Sequence, residues 1–152
     1  IENSIDFISF DEKFKNLKWI SPHYRNPAEE IIILNKMKKL LKRSNIMLIS
    51  EYNFFSFTMN KSFYSPSRTY DEISYPNINS EYYSKYKSFL INKIKKNKID
   101  KIYILKNKKI NEKKLNHLIF NYIPSNCFNF SYIDLNIIEL KIKNCKDLDE
   151  IK

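Results

Sequence analysis

At 152 residues and a net charge of +10, the chain has room for one domain with a real core and little room for two. It contains no glycine. That argues against a Gly-x-Gly-x-x-Gly dinucleotide loop, a Walker A phosphate loop and a glycine-built nucleophile elbow, since each depends on close backbone approach or a tight strand-to-helix turn.

Residues 1–25 show weak periodicity and read as a lead-in segment that packs through isolated aromatic anchors, Phe7, Phe10, Phe14 and Trp19. Residues 26–152 read as a single α/β domain. Its first helix opens with Asn26 as N-cap, Pro27 in the first turn, and Glu29 and Glu30 at the positive end of the dipole. Ile33, Met37, Leu40 and Leu41 repeat at helical spacing, and lysines cover the remainder. Asn45 breaks that pattern. Residues 46–49, all apolar, then predict a short strand covered on both faces, as in a parallel sheet. Residues 61–64 predict a small edge strand, and Tyr75, Pro76 and Asn77 mark a boundary.

A second helix is predicted over residues 80–96 with Ser80 as its cap. Residues 99–105 follow as a second strand, so strand, helix and strand form a crossover that should be parallel. Asn111 caps a third helix with Leu115, Leu118, Ile119 and Tyr122 inward, and Pro124 ends it. Residues 127–132 and 137–142 predict a terminal hairpin turning at residues 134–136, its second strand alternating Ile138, Leu140 and Ile142 with Glu139, Lys141 and Lys143. The expected architecture is a small three-layer, Rossmann-like α/β domain with a mostly parallel sheet and a C-terminal antiparallel edge.

Charge is unevenly placed. Residues 85–114 hold twelve lysines against Asp100 and Glu112, with Lys93, Lys95, Lys96 and Lys98 the densest group. Such a patch is either a solvated surface or an attractor of anionic lipid headgroups or nucleic-acid phosphates. The three arginines, Arg25, Arg43 and Arg68, lie outside it, and specific base reading favours the arginine fork. Specific nucleic-acid recognition is therefore not expected.

Few residues point to chemistry. His23 and His117 have no Cys, His or acidic neighbour at metal-ligand spacing, and no metal or cofactor is called for. His117 reads as a surface residue; His23 reads as a packing or hydrogen-bonding residue or as a substrate contact. Glu51 follows the first predicted strand, where α/β sites commonly lie, and either stabilises that turn or binds substrate. The loop Ser65, Pro66, Ser67, Arg68, Thr69, Tyr70 combines a rigid proline, a guanidinium and an aromatic ring. Arg68 either pairs with Asp71 or Glu72 or grips a phosphate or carboxylate, with Tyr70 stacking on a flat surface. No serine has a His and carboxylate framework around it.

The order of these features, from the Asn26, Pro27, Ala28, Glu29, Glu30 helix start through the residues 46–49 strand, the Ser65 to Tyr70 loop, the basic helix leading into Ile102, Tyr103 and Ile104, and the terminal Cys127 and Cys145, resembles the extracytoplasmic C-terminal domain of multispanning bacterial glycosyltransferases of the dolichyl-phosphate-mannose-type superfamily. The resemblance covers residues 17–148. It implies a parent enzyme on the bacterial inner membrane that uses a polyprenyl-phosphate-linked sugar, with its catalytic acids in loops among N-terminal membrane helices. This chain then contributes no catalytic residue, and its start at Ile1 is read as that of a piece of a longer protein. Its partners are the membrane portion of the same protein and anionic headgroups or the lipid-linked sugar; Arg68 and Tyr70 are placed near the membrane portion.

Two other classes compete: a stand-alone nucleotide-dependent α/β transferase and a basic nucleic-acid or membrane-binding module. The extracytoplasmic placement also permits oxidation of Cys127 and Cys145. A hairpin centred near residues 134–136 brings them together, against the alternative of two reduced thiols.

Overall fold

The computed structural model describes residues 4–21, 26–67, 75–107 and 110–149. They fall into two units, Ile1–Ser44 with Phe54–Lys61, and Asn45–Asn53 with Ser62–Lys152. Their shared chain crosses between them more than once.

The first unit is built on aromatic rings. Strands β1 (Ile5–Asp6) and β2 (Lys18–Trp19) form a two-stranded antiparallel ribbon. The Phe7 ring stacks on Phe14 at 4.6 Å and on Trp19 at 4.7 Å, and meets the edge of Phe54 at 5.5 Å. Helix α1 (Pro27–Leu40) starts as its sequence predicts. The Asn26 side chain accepts the Ala28 amide at 3.0 Å and Pro27 occupies the first turn. Its buried stripe is Ile31, Leu34, Met37 and Leu41, with Ile33 and Leu40 only half-buried, so the inward face is rotated from the expected one.

Glu30 is buried, and its carboxylate accepts the Trp19 indole N–H at 2.6 Å. The Lys38 ammonium donates to the Phe10 carbonyl at 3.0 Å and pairs with Asp11 at 2.5 Å. At Asp11 burial raises the carboxyl pKa, but the Lys38 bond and charge and the Lys13 amide outweigh it, and the net value lies below the ordinary one. A single turn, α2 (Phe55–Thr58), is tied back by the Lys13 ammonium, which donates to the carbonyls of Phe57 at 2.9 Å and Thr58 at 3.0 Å.

The second unit holds a four-stranded sheet in the order β3 (Ile46–Ser50), β4 (Lys101–Leu105), β6 (Ile137–Ile142), β5 (Phe128–Tyr132). The pair β3 and β4 is parallel, joined through helix α3 (Tyr83–Lys96). The other two pairings are antiparallel. This corrects the expected Rossmann-like, mostly parallel sheet. The crossover pair is parallel, as its apolar runs suggest, but the terminal hairpin joins the sheet beside β4, so two of the three pairings are antiparallel. The hairpin lays β6, with its buried Ile137, Ile138 and Leu140, against the central strand β4, and leaves β5, exposed beyond Phe128, on the outside.

Residues 61–64 do not form the expected strand. Tyr64 takes a left-handed φ of 50°, and the segment contributes one backbone bond to the sheet, from the Leu48 amide to the Phe63 carbonyl at 3.0 Å. The Ser65 hydroxyl donates to the Leu48 carbonyl at 2.5 Å. Those contacts cover the outer edge of β3.

One face of the sheet carries Met47, Ile49, Ile102, Ile104, Ile138 and Leu140, packed in one core with Leu90, Ile91 and Ile94 of α3. The same core takes Leu115 from α4 (Glu112–Leu115), Leu118 and Ile119 from the π-helical stretch Asn116–Phe120 that continues it, and Tyr122 just beyond. This is the predicted inward face, and Asn111 caps it as expected, accepting the Lys114 amide at 3.0 Å. A final turn, α5 (Lys146–Asp149), follows β6. Cys127, immediately before β5, is disulfide-bonded to Cys145, beyond β6, across a sequence separation of 18. The Lys143 amide donates to the Cys127 carbonyl at 2.8 Å, holding the two chain segments side by side.

Candidate functional site

The end of α3 carries the predicted lysine group, and its geometry follows from how the helix stops. Lys98 occupies the position after the cap in a left-handed conformation, φ 50°. Its amide donates to the Lys95 carbonyl at 3.0 Å, and the Ile99 amide reaches back to the Ile94 carbonyl at 3.0 Å. This is a Schellman closure, with the buried Ile94 and Ile99 as its apolar pair. Glycine normally fills that position because it has no Cβ; this glycine-free chain uses lysine.

Helical spacing and this turn together divide the four lysines between two grooves. Lys93 and Lys96 line one of about 380 Å³ with Phe89, Asn92 and Asn97. Lys95 and Lys98 line a smaller one of about 190 Å³, beside Lys143, Asn144 and Cys145.

The larger groove is the better organised. The Lys93 ammonium donates to the Ser65 carbonyl at 2.8 Å and lies 5.1 Å from the centre of the Phe89 ring. Burial holds its pKa below the ordinary lysine value. Asn97 donates to the Lys93 carbonyl at 2.8 Å, which fixes the amide at the groove's end. Phe89 leaves 46% of its surface exposed. One anchored ammonium, a second ammonium, two amides and an open ring face form a surface able to hold an anionic oxygen cluster and a flat or apolar moiety together. Phe89, Asn92 and Asn97 were not singled out from sequence; a helical spacing of Phe89, Asn92, Lys93 and Lys96 on one face was the available signal.

Glu51 lies at the carboxyl end of the parallel β3 and β4 pair, as expected, and accepts the Asn107 side-chain amide at 2.7 Å. Beside it Lys106 is buried, and its backbone bonds both ways with Asn136: amide to carbonyl at 3.1 Å and carbonyl from the side chain at 2.8 Å. Sequence reading placed Lys106 in a charged loop and missed its burial. These bonds tie three chain segments together at one end of the sheet.

His117 is half-buried with its ring 5.8 Å from buried Tyr75, rather than on the open surface. His23, Arg68 and Tyr70 lie outside the described residues. Among the described residues no group of His, Cys, Asp and Glu is arranged to hold a metal ion, and no helix is long and apolar enough to cross a membrane. With the geometry in hand, comparison with known proteins leaves the fold and these grooves as the guide to function: the chain matches no family model, no curated protein and no solved structure.

Proposed function

We propose that this chain is an accessory extracytoplasmic domain of a bacterial inner-membrane glycosyltransferase that uses a polyprenyl-phosphate-linked sugar, with the catalytic residues elsewhere in the parent. The observation that carries the reading is the Cys127–Cys145 disulfide, because such bonds persist in oxidising compartments and are rare in reducing ones. The resemblance over residues 17–148 supplies the enzyme class. The Phe89, Lys93 and Lys96 groove supports a role at the headgroup level, where a phosphate meets the ammonium groups and the neighbouring sugar or isoprenoid carbon meets the ring.

The test uses neutral-lipid vesicles with and without polyprenyl phosphate, and a sugar-transfer assay on the chain alone. The expected result is binding that requires the phosphate lipid, weakens in Lys93→Gln/Lys96→Gln, and is accompanied by no transfer. Sugar transfer by the chain alone, or vesicle binding indifferent to both the phosphate lipid and the two lysines, overturns the proposal.

A further inference from the structure

The two outer edges of the four-stranded sheet differ. That of β3 is occupied by the Phe63 carbonyl and the Ser65 hydroxyl, both bonded to Leu48. That of β5 pairs with nothing among the described residues. Natural edge strands are usually defended by lysine, proline, a bulge or a covering loop. The β5 sequence, Phe-Asn-Phe-Ser-Tyr, has no charge and no proline, although the chain as a whole is 29% charged.

Hydrogen-bond parity decides which groups this edge presents. The Ile133 amide bonds the Ile137 carbonyl and the Lys143 amide bonds the Cys127 carbonyl, so the odd-numbered residues of β5 face β6. Alternation then turns the N–H and C=O of Phe130 and Tyr132 outward. Their side chains end the two apolar rows that cross the sheet, opposite Leu140 and Ile138. The rings meet edge to face at 4.8 Å and remain 42% and 54% exposed. Backbone donors, backbone acceptors and an exposed aromatic pair therefore belong to the same two residues.

We propose that this edge pairs with a second copy of the chain, the two β5 strands antiparallel about a two-fold axis at Ser131. That axis sets Phe130 opposite the partner's Tyr132 and Tyr132 opposite the partner's Phe130. All four outward amides and carbonyls of each pair are used, giving about four backbone hydrogen bonds, and the two aromatic pairs merge into one four-ring cluster on the core face. The two Ser131 residues meet at a non-hydrogen-bonded position, where Cα atoms approach to about 4.5 Å, and a small side chain fits there. Neutrality of the strand lets two copies of charge +10 meet without placing cations opposite one another. The edge is shorter than a standard interface of about 1,600 Å², so the pairing is a weak one that depends on concentration.

Sedimentation equilibrium of the whole chain over a wide concentration range reads the pairing directly. Phe130→Lys/Tyr132→Lys should weaken it by about tenfold or more, with the circular dichroism spectrum unchanged. Register is read independently by cross-linking. Under mild oxidation Ser131→Cys should yield a covalent dimer, whereas Asn129→Cys should not, because its Cα would lie about 14 Å from its counterpart. A chain that stays monomeric to its solubility limit overturns the proposal and leaves the edge for a strand of another protein. Equal cross-linking at 129 and 131 overturns the two-fold axis at Ser131. If the double lysine variant fails to fold, the cysteine pair still decides.

Discussion

Reducing the Cys127–Cys145 bond isolates what the crosslink contributes, because the native chain has other means of holding the same place. The Lys143 amide stays bonded to the Cys127 carbonyl at 2.8 Å and the β5–β6 ladder runs between the two cysteines. The folded state is therefore expected to keep its geometry when the bond is cut, and the effect to fall on the unfolded chain. For a loop spanning 18 residues, loop-closure entropy contributes a constant of about 0.6 kcal/mol and a logarithmic part of about 2.6 kcal/mol, about 3 kcal/mol together. In a chain of this size that lowers the melting temperature by about 6–12 °C.

Urea unfolding with and without reductant measures it, with thiol labelling to count free cysteines in each sample. The slope of the transition should also steepen on reduction, since an unbridged chain exposes more surface. Chemical reduction is cleaner than Cys127→Ala, which would also open a cavity at a fully buried position. Coincident midpoints in the oxidised and reduced samples would refute the reasoning, as would two thiols that label freely in protein prepared through an oxidising compartment.

Tyr86 carries a buried hydroxyl with no hydrogen-bond partner among the described residues, so Tyr86→Phe should be neutral or stabilising by about 1 kcal/mol in urea unfolding; a loss of that size would reveal a partner. Lys98→Gly relieves the left-handed lysine after α3 and should stabilise by about 1 kcal/mol, measured by thermal melts. Tyr122 donates to the Pro76 carbonyl at 2.7 Å, and burial, with the charge of Tyr83, pushes its pKa up from 10.0 to about 12. A raised folded pKa means this contribution is intact below pH 10.0 and lost as the pH climbs towards about 12. Stability measured across that window should fall, and fall less in Tyr122→Phe.

Helix starts were legible because their signals are local: Asn26 with Pro27, and Asn111 with the Lys114 amide, act where the sequence puts them. Ser80 is a partial case. Its hydroxyl accepts the Tyr82 amide at 3.2 Å, but the regular helix begins at Tyr83. The hairpin and the disulfide were legible for the same reason, since a short turn near Asp134 fixes which residues face one another. Sheet order was not. Whether β6 pairs with β4 as well as β5 depends on a partner more than thirty positions away in sequence, and the alternation within residues 137–142 is the same in either arrangement. The groove was half legible. The lysines stood out by density, and helical spacing separates Lys93 and Lys96 from Lys95, but the placement of Lys98 beside Lys95 depends on a left-handed residue whose identity gives no warning of it.

The crossing of the chain between its two units bears on synthesis. When the ribosome has released residues 1–44, the ring stack around Phe7 still lacks Phe54, Phe55 and Phe57, which belong to the same unit. Strand β3, four consecutive buried apolar residues and a serine, emerges between them. It has no sheet partner until Lys101–Leu105 has been made. At about 5–20 residues per second that is a wait of about 3 to 10 seconds, during which Ile46, Met47, Leu48 and Ile49 form a sticky strand without a sheet. A stop between residues 44 and 45 would yield neither unit whole, so a nascent chain interrupted there is a substrate for chaperones and proteases rather than a folded half-product.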